Sequence, residues 1–139
     1  MTDNLTRERR SWNMSRIKGR NTGPEMRLRS LLHRAGFRFR LHAKELPGRP
    51  DIILPKYSAV IFVHGCFWHR HAGCRNASMP STRTEFWQAK FESNIGRDER
   101  SRTALQAAGW TVFTVWECEL RSDALGLMQR LSRDIQEAV

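Results

Sequence analysis

The sequence lacks several features that would place it in particular classes of protein. Its 139 residues contain no apolar run of about 18 residues, so no transmembrane helix is expected. The N-terminal segment MTDNLTRERRSW is too polar for a secretory signal. Three cysteines are an odd number, which argues against a disulfide scaffold and favours metal or core roles. Internal repeats and low-complexity segments are also absent. We therefore expect one cytoplasmic domain without a membrane partner.

Acidic side chains are scarce relative to basic ones. There are 24 Lys and Arg residues against 14 Asp and Glu, which gives a formal net charge of +10. A domain this basic is most simply a nucleic-acid binder. A basic solubility surface and a site for an acidic protein are the alternatives. Residues 1–20 carry many of these charges without helical periodicity, so they are predicted to form a flexible basic arm, with one domain over 21–139.

Hydrophobic periodicity predicts seven elements in the order α-β-β-β-α-β-α. The TRTE pattern at 82–85 resembles a capping box that opens the second helix, and Gly96 is a possible break in it. The pattern predicts one α/β domain with a mixed sheet flanked by helices. The predicted elements are a helix from Thr22 or Gly23 to Gly36, strands over 37–43, 51–54 and 58–64, a helix over 82–108, a strand over 110–116 and a helix over 122–138.

Metal-binding residue types are concentrated in one short stretch, FVHGCFWHRHAGC, which spans residues 62–74. A structural zinc site needs four Cys or His ligands in a tetrahedron. Three cysteines and one histidine would close such a site if Cys118, just past a predicted strand, came close to Cys66. Buried thiols with phosphate-binding histidines are the alternative. The candidate ligands are Cys66, Cys74, Cys118, His64, His69 and His71.

Two carboxylates and the remaining histidines could perform phosphodiester hydrolysis. Asp51 and Glu25 could hold Mg²⁺ together with water and phosphate oxygens, and a nearby histidine could take a proton from water. Each residue also has a simpler interpretation. Asp51 could be a turn residue, Glu25 could complement the helix dipole, and His64 and His69 could be hydrogen-bonded loop residues.

Four motifs, taken together, resemble the very short patch repair (Vsr) endonucleases. They are LPGRPDIIL, VIFVHGCFWHRH, TRTEFW and VWECEL, in this order, and the resemblance extends from about Ser11 to beyond Arg121. It implies a restriction-endonuclease-like α/β fold with a structural zinc. It also implies Mg²⁺-dependent nicking of double-stranded DNA on the 5′ side of the thymine in a T:G mismatch, which arises when 5-methylcytosine deaminates.

The resemblance also implies roles for individual residues. The implied active site comprises Asp51 as the main Mg²⁺ ligand with the backbone carbonyl of Val63, His69 as the general base with Asp98 as its partner, and His64 and Glu25 as further members. The implied zinc ligands are Cys66, His71, Cys74 and Cys118. The implied aromatic wedge, which would enter the base stack, is Phe67, Trp68 and Trp87.

The chain departs from the family at Val63, where the family often has Thr. The lysine of the D…ExK pattern of restriction nucleases is also absent, and histidines replace it. The further partners implied are mismatch-repair proteins and a repair polymerase. A monomer is expected because one asymmetric lesion needs no two-fold symmetric reader. Two alternatives remain at this point: a restriction-type nuclease that cuts both strands, and a zinc-stabilised DNA-binding protein without catalytic activity.

Overall fold

A computed structural model describes residues 22–75 and 77–138. The basic arm predicted for residues 1–20 lies outside this range. None of the described helices has the length and apolar character needed to cross a membrane. The elements are α1 (Gly23–Arg34), β1 (Arg40–Leu41), β2 (Ile52–Leu54), a 3₁₀ turn (Pro55–Tyr57), β3 (Ala59–His64), α2 (Thr84–Ala107), β4 (Thr111–Trp116), α3 (Glu117–Ser122) and α4 (Ala124–Glu137).

The described strands form the predicted mixed sheet, with four strands in the order β1-β2-β3-β4. β2 pairs antiparallel with both β1 and β3, whereas β3 and β4 are parallel and connected through α2. The parallel register places His64 beside Trp116. It therefore brings the residues that follow β3 close to those that follow β4.

Helices cover both faces of this sheet because side chains in a strand alternate between faces. Leu28 and Leu32 of α1 pack with apolar residues of α3 and α4 against one face, which includes Ile61. Leu105 of α2 packs on the opposite face with Val60 and Ile53. The long helix α2 thus lies on the face to which Phe62 and His64 also point.

Three boundaries differ from the sequence predictions, and each has a local cause. β1 is limited to two residues because His42 adopts a left-handed backbone with φ 49°. The predicted capping box at 82–85 does not form. Arg83, the N-cap residue of α2, is also left-handed at φ 53°, which is unlike the extended N-cap that a capping box uses. α2 then continues through Gly96 without a break.

A short helix that was not predicted, α3, precedes the last predicted helix, which begins at Ala124 rather than at Ser122, and the two are separated by Asp123. This residue has an extended φ of −155°, which ends α3, and its side chain accepts a hydrogen bond from the backbone N–H of Gly126 at 3.1 Å. Asp123 is therefore the N-cap of α4. One aspartate both stops one helix and starts the next.

The turn at Pro47–Pro50 is held close to α2, and Gly48 makes that approach possible. Its φ is +73°, and a Cβ at this position would lie 2.6 Å from both Cβ and Oγ of Ser101. The turn leads directly into Asp51 at the start of β2. The fit of Gly48 against Ser101 therefore helps to position Asp51.

We predict that Gly48→Ala lowers the free energy of unfolding by about 1–3 kcal/mol, through positive-φ strain plus the clash. Gly36→Ala is the matched control, since Gly36 also has a positive φ but no atom would lie within 4 Å of its Cβ. Chemical denaturation should show the larger loss for Gly48→Ala, and Ser101→Gly should recover part of it. Equal losses in the two variants would contradict the close approach.

Candidate active site and metal centres

Four side chains gather at the end of β3 and the start of α3 in a way that suits a tetrahedral metal. They are Cys66, His71, Cys74 and Cys118, whose ligand atoms all lie within 4.8 Å of one another. His71 Nδ1 is 3.6 Å from Cys66 Sγ and 3.4 Å from Cys118 Sγ. Sulfur and nitrogen ligands of a tetrahedral zinc are about 3.5–3.6 Å apart, given their usual bond lengths. The residues present therefore fit zinc.

Burial opposes the ionisation of these thiols. Burial, together with the neighbouring thiols, raises the pKa of Cys66 to about 12, and burial also raises the pKa of Cys118. A dication held among the sulfurs reverses this effect, because it stabilises the thiolates. His71 is further fixed by stacking on Trp116, with ring centroids 4.2 Å apart. Glu117 accepts a hydrogen bond from the Cys66 N–H at 3.0 Å.

Arg70 secures the loop that carries these ligands. Its guanidinium donates to the carbonyls of Phe67, Ala77 and Ser78 at 3.2, 2.6 and 3.2 Å. The same group lies 4.0 Å from the ring centroid of Phe91 in α2. Arg70 thus ties both ends of the loop to each other and to the long helix.

Asp51, just before β2, and Glu25 of α1 form a second cluster beside the end of β3. Burial raises the pKa of Asp51 to about 7, and its side-chain hydrogen bond to Glu25 and the like charge of that residue add to the shift. Glu25 itself is 1 % exposed and contacts both Arg29 and His42. Near neutral pH, a proton and a metal cation would compete for the Asp51–Glu25 pair.

Val63 faces this cluster through its main chain. Its N–H donates to Asp51 Oδ2 at 2.7 Å. The N–H and C=O of one strand residue point to the same side, so the Val63 carbonyl is also directed towards Asp51. The side chain of Val63 packs against the apolar cluster of α1 and α4. A valine in place of threonine therefore alters the core side of the strand rather than the main-chain atoms beside Asp51.

His64, His69 and Asp98 form a third cluster. His69 Nδ1 is 2.7 Å from Asp98 Oδ2, and the carboxylate makes Nδ1 the protonated nitrogen, which leaves Nε2 as the basic one. Burial alone would raise the pKa of Asp98, but the hydrogen bond and charge of His69 lower it below its ordinary value. Burial and the charge of His69 lower the pKa of His64 to about 4, so His64 is neutral at pH 7. The imidazole rings of His64 and His69 stack at 3.8 Å.

One open cavity of about 650 Å³ connects the second and third clusters. Asp51, Val63, His69 and Asp98 all line it. Basic residues also line it, which favours a phosphate-bearing ligand. These residues are Lys44, Arg49 and Arg97.

The aromatic residues of the loop form a partly exposed ridge supported by α2. Phe67 and Trp87 are half-buried, with centroids 5.7 Å apart, and both contact Phe91, which is 3 % exposed. Trp68 lies on top of them and is 39 % exposed. The three predicted wedge residues are thus brought together on a rigid base, and none of them is fully buried.

Every residue predicted for the sites thus lies in one of these clusters. Three further residues that support the clusters were not predicted from the sequence. Arg29 and His42 hold Glu25, and Arg70 holds the loop. The spacing of Glu25 and Arg29, four residues apart in a helix, could have indicated their ion pair. No local pattern marks His42 or Arg70, since their contacts depend on the fold.

The fold is similar to that of a solved nuclease. The homing endonuclease I-Bth0305I catalytic domain superposes with a TM-score of 0.60, covering 86% of this chain and 99% of that one, at 19% sequence identity. The fold is therefore of the restriction-endonuclease-like class. The family described as DNA mismatch endonuclease Vsr matches residues 2–76.

Curated relatives match over nearly the full chain. The type II nicking enzyme V.XorIIP of Xanthomonas oryzae pv. oryzae is 52% identical over 135 residues, which is 97% of each chain. The DNA mismatch endonuclease Vsr of Escherichia coli is 49% identical over 121 residues, covering 87% of this chain and 77% of that one. The chain belongs to the Vsr DNA mismatch endonuclease family and is a DNA nicking endonuclease.

We predict that the loop holds one zinc ion per chain, detectable by native mass spectrometry. Cys118→Ser should lower the free energy of unfolding by more than about 4 kcal/mol, because zinc binding is coupled to folding. His69→Ala is the control from the same loop and should retain the zinc, since its ring bonds Asp98 instead. Loss of zinc from His69→Ala, or a metal-free chain of unchanged stability, would show that the ligand set is wrong.

Proposed function

We propose that this chain is a Mg²⁺-dependent endonuclease that nicks one DNA strand on the 5′ side of the thymine in a T:G mismatch. In this proposal the mismatch arises from deamination of 5-methylcytosine, and the nick initiates very short patch repair. The observation that carries the proposal is a basic cavity lined by the carboxylate of Asp51 and by the His69–Asp98 pair. The names of the relatives, mismatch endonuclease and nicking enzyme, support it.

Asp51 and the carbonyl of Val63 would hold the divalent cation. Carboxylate and carbonyl oxygens are the ligands that Mg²⁺ prefers, and the raised pKa of Asp51 reflects a buried carboxyl group that a cation would stabilise in its charged form. When bound there, Mg²⁺ would offset the negative charge that develops on the phosphate oxygens. Glu25 would add a second carboxylate beside the ion.

His69 would act as the general base. Its Nε2 takes a proton from the attacking water while the water oxygen bonds to phosphorus and the P–O bond of the leaving nucleotide breaks. Asp98, bonded to Nδ1, fixes the tautomer and stabilises the imidazolium that forms. His64 stays neutral and holds the plane of the His69 ring by stacking on it. Lys44, Arg49 and Arg97 would hold flanking phosphates.

The aromatic ridge would provide mismatch selectivity. Phe67, Trp68 and Trp87 present exposed or half-exposed rings on a base fixed by Phe91 and Arg70. Inserting a ring between base pairs requires unstacking, which costs less beside a mismatch than within a matched duplex. The ridge would thus enter the DNA most readily where a T:G pair has already weakened the stack.

Single-strand cleavage by a monomer is expected because one asymmetric lesion needs no two-fold symmetric reader. A restriction-type nuclease would instead need two active sites related by symmetry, and a purely binding protein would not need the histidine–aspartate pair. Repair proteins that extend and seal the nick are the expected partners. A reducing, cytoplasmic location would keep the three cysteines free for zinc.

We predict that Asp51→Asn reduces nicking of a strand-labelled T:G duplex by about 10³-fold or more, while DNA binding persists because one negative charge is removed. His69→Ala should reduce nicking by about 10²–10⁴-fold with binding unchanged. Exposed positions provide matched controls, Asp134→Asn and His33→Ala, which should nick like the wild type.

The control substrates for this assay are the matched T:A duplex and the T:G duplex labelled on the opposite strand. Cleavage of both strands would contradict nicking in favour of a restriction-type activity. Unchanged nicking by Asp51→Asn would refute the metal site, and unchanged nicking by His69→Ala would refute the base. An absence of any cleavage in the wild type with Mg²⁺ would leave only a DNA-binding role.

We predict separately that Trp68→Ala weakens binding to a T:G duplex more than binding to a matched duplex. Base–aromatic stacking contributes about 1–3 kcal/mol, which corresponds to roughly a 5- to 150-fold loss of affinity. Fluorescence anisotropy with both duplexes measures the difference. Leu125→Ala is the control, because Leu125 is an exposed apolar residue outside the ridge. Equal losses on both duplexes would reduce Trp68 to a general contact residue.

A further inference from the structure

His42 lies between the two carboxylate-bearing elements and belongs to none of the motifs discussed above. It follows β1 directly, is partly buried and lines the active-site cavity. Its backbone is left-handed, with φ 49°, a conformation that a histidine adopts only when its surroundings compensate for the strain. The contacts that offset this strain are the ones that lead to the catalytic carboxylates.

Two separate contacts connect His42 to Asp51 and to Glu25. The backbone N–H of His42 donates to the backbone carbonyl of Asp51 at 3.2 Å. Its ring Nε2 lies 3.0 Å from Glu25 Oε2. One residue therefore links the start of β2, which carries Asp51, to α1, which carries Glu25.

Arg29 completes the arrangement around Glu25. Its guanidinium bonds the same oxygen, Oε2, and its Nη2 is also 3.2 Å from His42 Nε2. A carboxylate only accepts hydrogen bonds, so it favours the tautomer of His42 that carries hydrogen on Nε2. With Arg29 and His42 both on Oε2, the rotation of the Glu25 carboxyl group is fixed.

We infer that His42 is a positioning residue that holds Glu25 against Asp51 and so sets the affinity of this site for a divalent cation. The inference rests on the proposed function, since it concerns the metal site proposed there. Two carboxylates in a buried site repel each other unless a cation or proton joins them. His42 is not itself a ligand of the ion in this arrangement. Its hydrogen bond to Glu25 keeps the two carboxyl groups together before the ion binds.

A direct role as a nitrogen ligand is the competing arrangement for His42. The ligand atoms of Glu25, His42 and Asp51 all lie within 4.8 Å of one another, which one ion could in principle bridge. The adjacent guanidinium of Arg29 argues against it, because an ion bound to Nε2 would lie next to a permanent positive charge. The electron paramagnetic resonance spectrum of bound Mn²⁺ distinguishes the two arrangements, since the nucleus of a nitrogen ligand gives a hyperfine coupling to the ion.

The experiment uses Mn²⁺ as the probe on the zinc-loaded full chain without DNA, with electron paramagnetic resonance to measure free and bound ion. His42→Leu should weaken Mn²⁺ binding by about tenfold or more, as loss of an outer hydrogen bond typically does. His42→Gln should bind within about threefold of wild type, because its amide N–H can replace Nε2–H. His33→Leu, an exposed histidine in the last turn of α1, is the matched control and should change nothing.

His42→Asn is a second test variant, used in case His42→Leu does not fold. Asparagine tolerates the left-handed backbone, but its shorter side chain does not reach Glu25, so it should also bind Mn²⁺ weakly. Far-ultraviolet circular dichroism establishes that each variant is folded before titration. Wild-type affinity in both His42→Leu and His42→Asn would overturn the inference.

Two further outcomes separate this inference from the proposed function. Nitrogen coupling to Mn²⁺ that is present in the wild type and absent in His42→Gln would make His42 a direct ligand and overturn its positioning role, with the metal site intact. A wild-type chain that binds no Mn²⁺, or binds it equally after Asp51→Asn, would overturn the metal site itself and the inference with it. Asp51-dependent binding that requires His42 or Gln at position 42 supports both.

Discussion

The parallel pairing of β3 with β4 is the constraint on which the sites depend. It fixes His64 beside Trp116, so the loop after β3 and the helix after β4 meet at one edge of the sheet. Cys66 bonds to Glu117, which is 51 residues further along the chain, and this register also makes Cys66 and Cys118 neighbours. The four Cys and His side chains then join the two strand ends, and the same loop delivers His69 to Asp98 of α2. The Cys–His cluster and the His69–Asp98 pair therefore share one structural origin.

Burial of ionisable groups around the cavity is a local cost that the fold retains because of the chemistry. Burial raises the pKa of Asp51 to about 7 and lowers the pKa of His64 to about 4, since it disfavours the charged form of each group. The cavity thus combines a carboxyl group suited to a cation with a histidine–aspartate pair suited to proton transfer. Such opposed shifts are typical of sites that combine metal binding with acid–base chemistry.

The loop between β3 and α2 also shows how an exposed aromatic ridge can be rigid. Trp68 is exposed, but it rests on Phe67 and Trp87, which pack on the buried ring of Phe91. Arg70 donates to three carbonyls of the loop and stacks on Phe91. A ridge that is ordered before it meets DNA loses less conformational entropy on insertion. Structural zinc at the base of the same loop would serve the same purpose.

The sequence by itself determined the class of fold, most of the elements and the residue types of each site. Apolar runs marked β3 and β4, Pro24 and Thr22 marked the start of α1, and the Cys–His stretch marked the loop, because these signals are local. Only the tertiary structure decided the short helix α3 before Asp123, the shift of the α2 start to Thr84 and the attachment of Glu25 to Arg29 and His42. His42 is 17 residues from Glu25 in sequence, and no periodicity links them. Contacts at that separation arise from how the helix and sheet pack, which neighbouring residues do not encode.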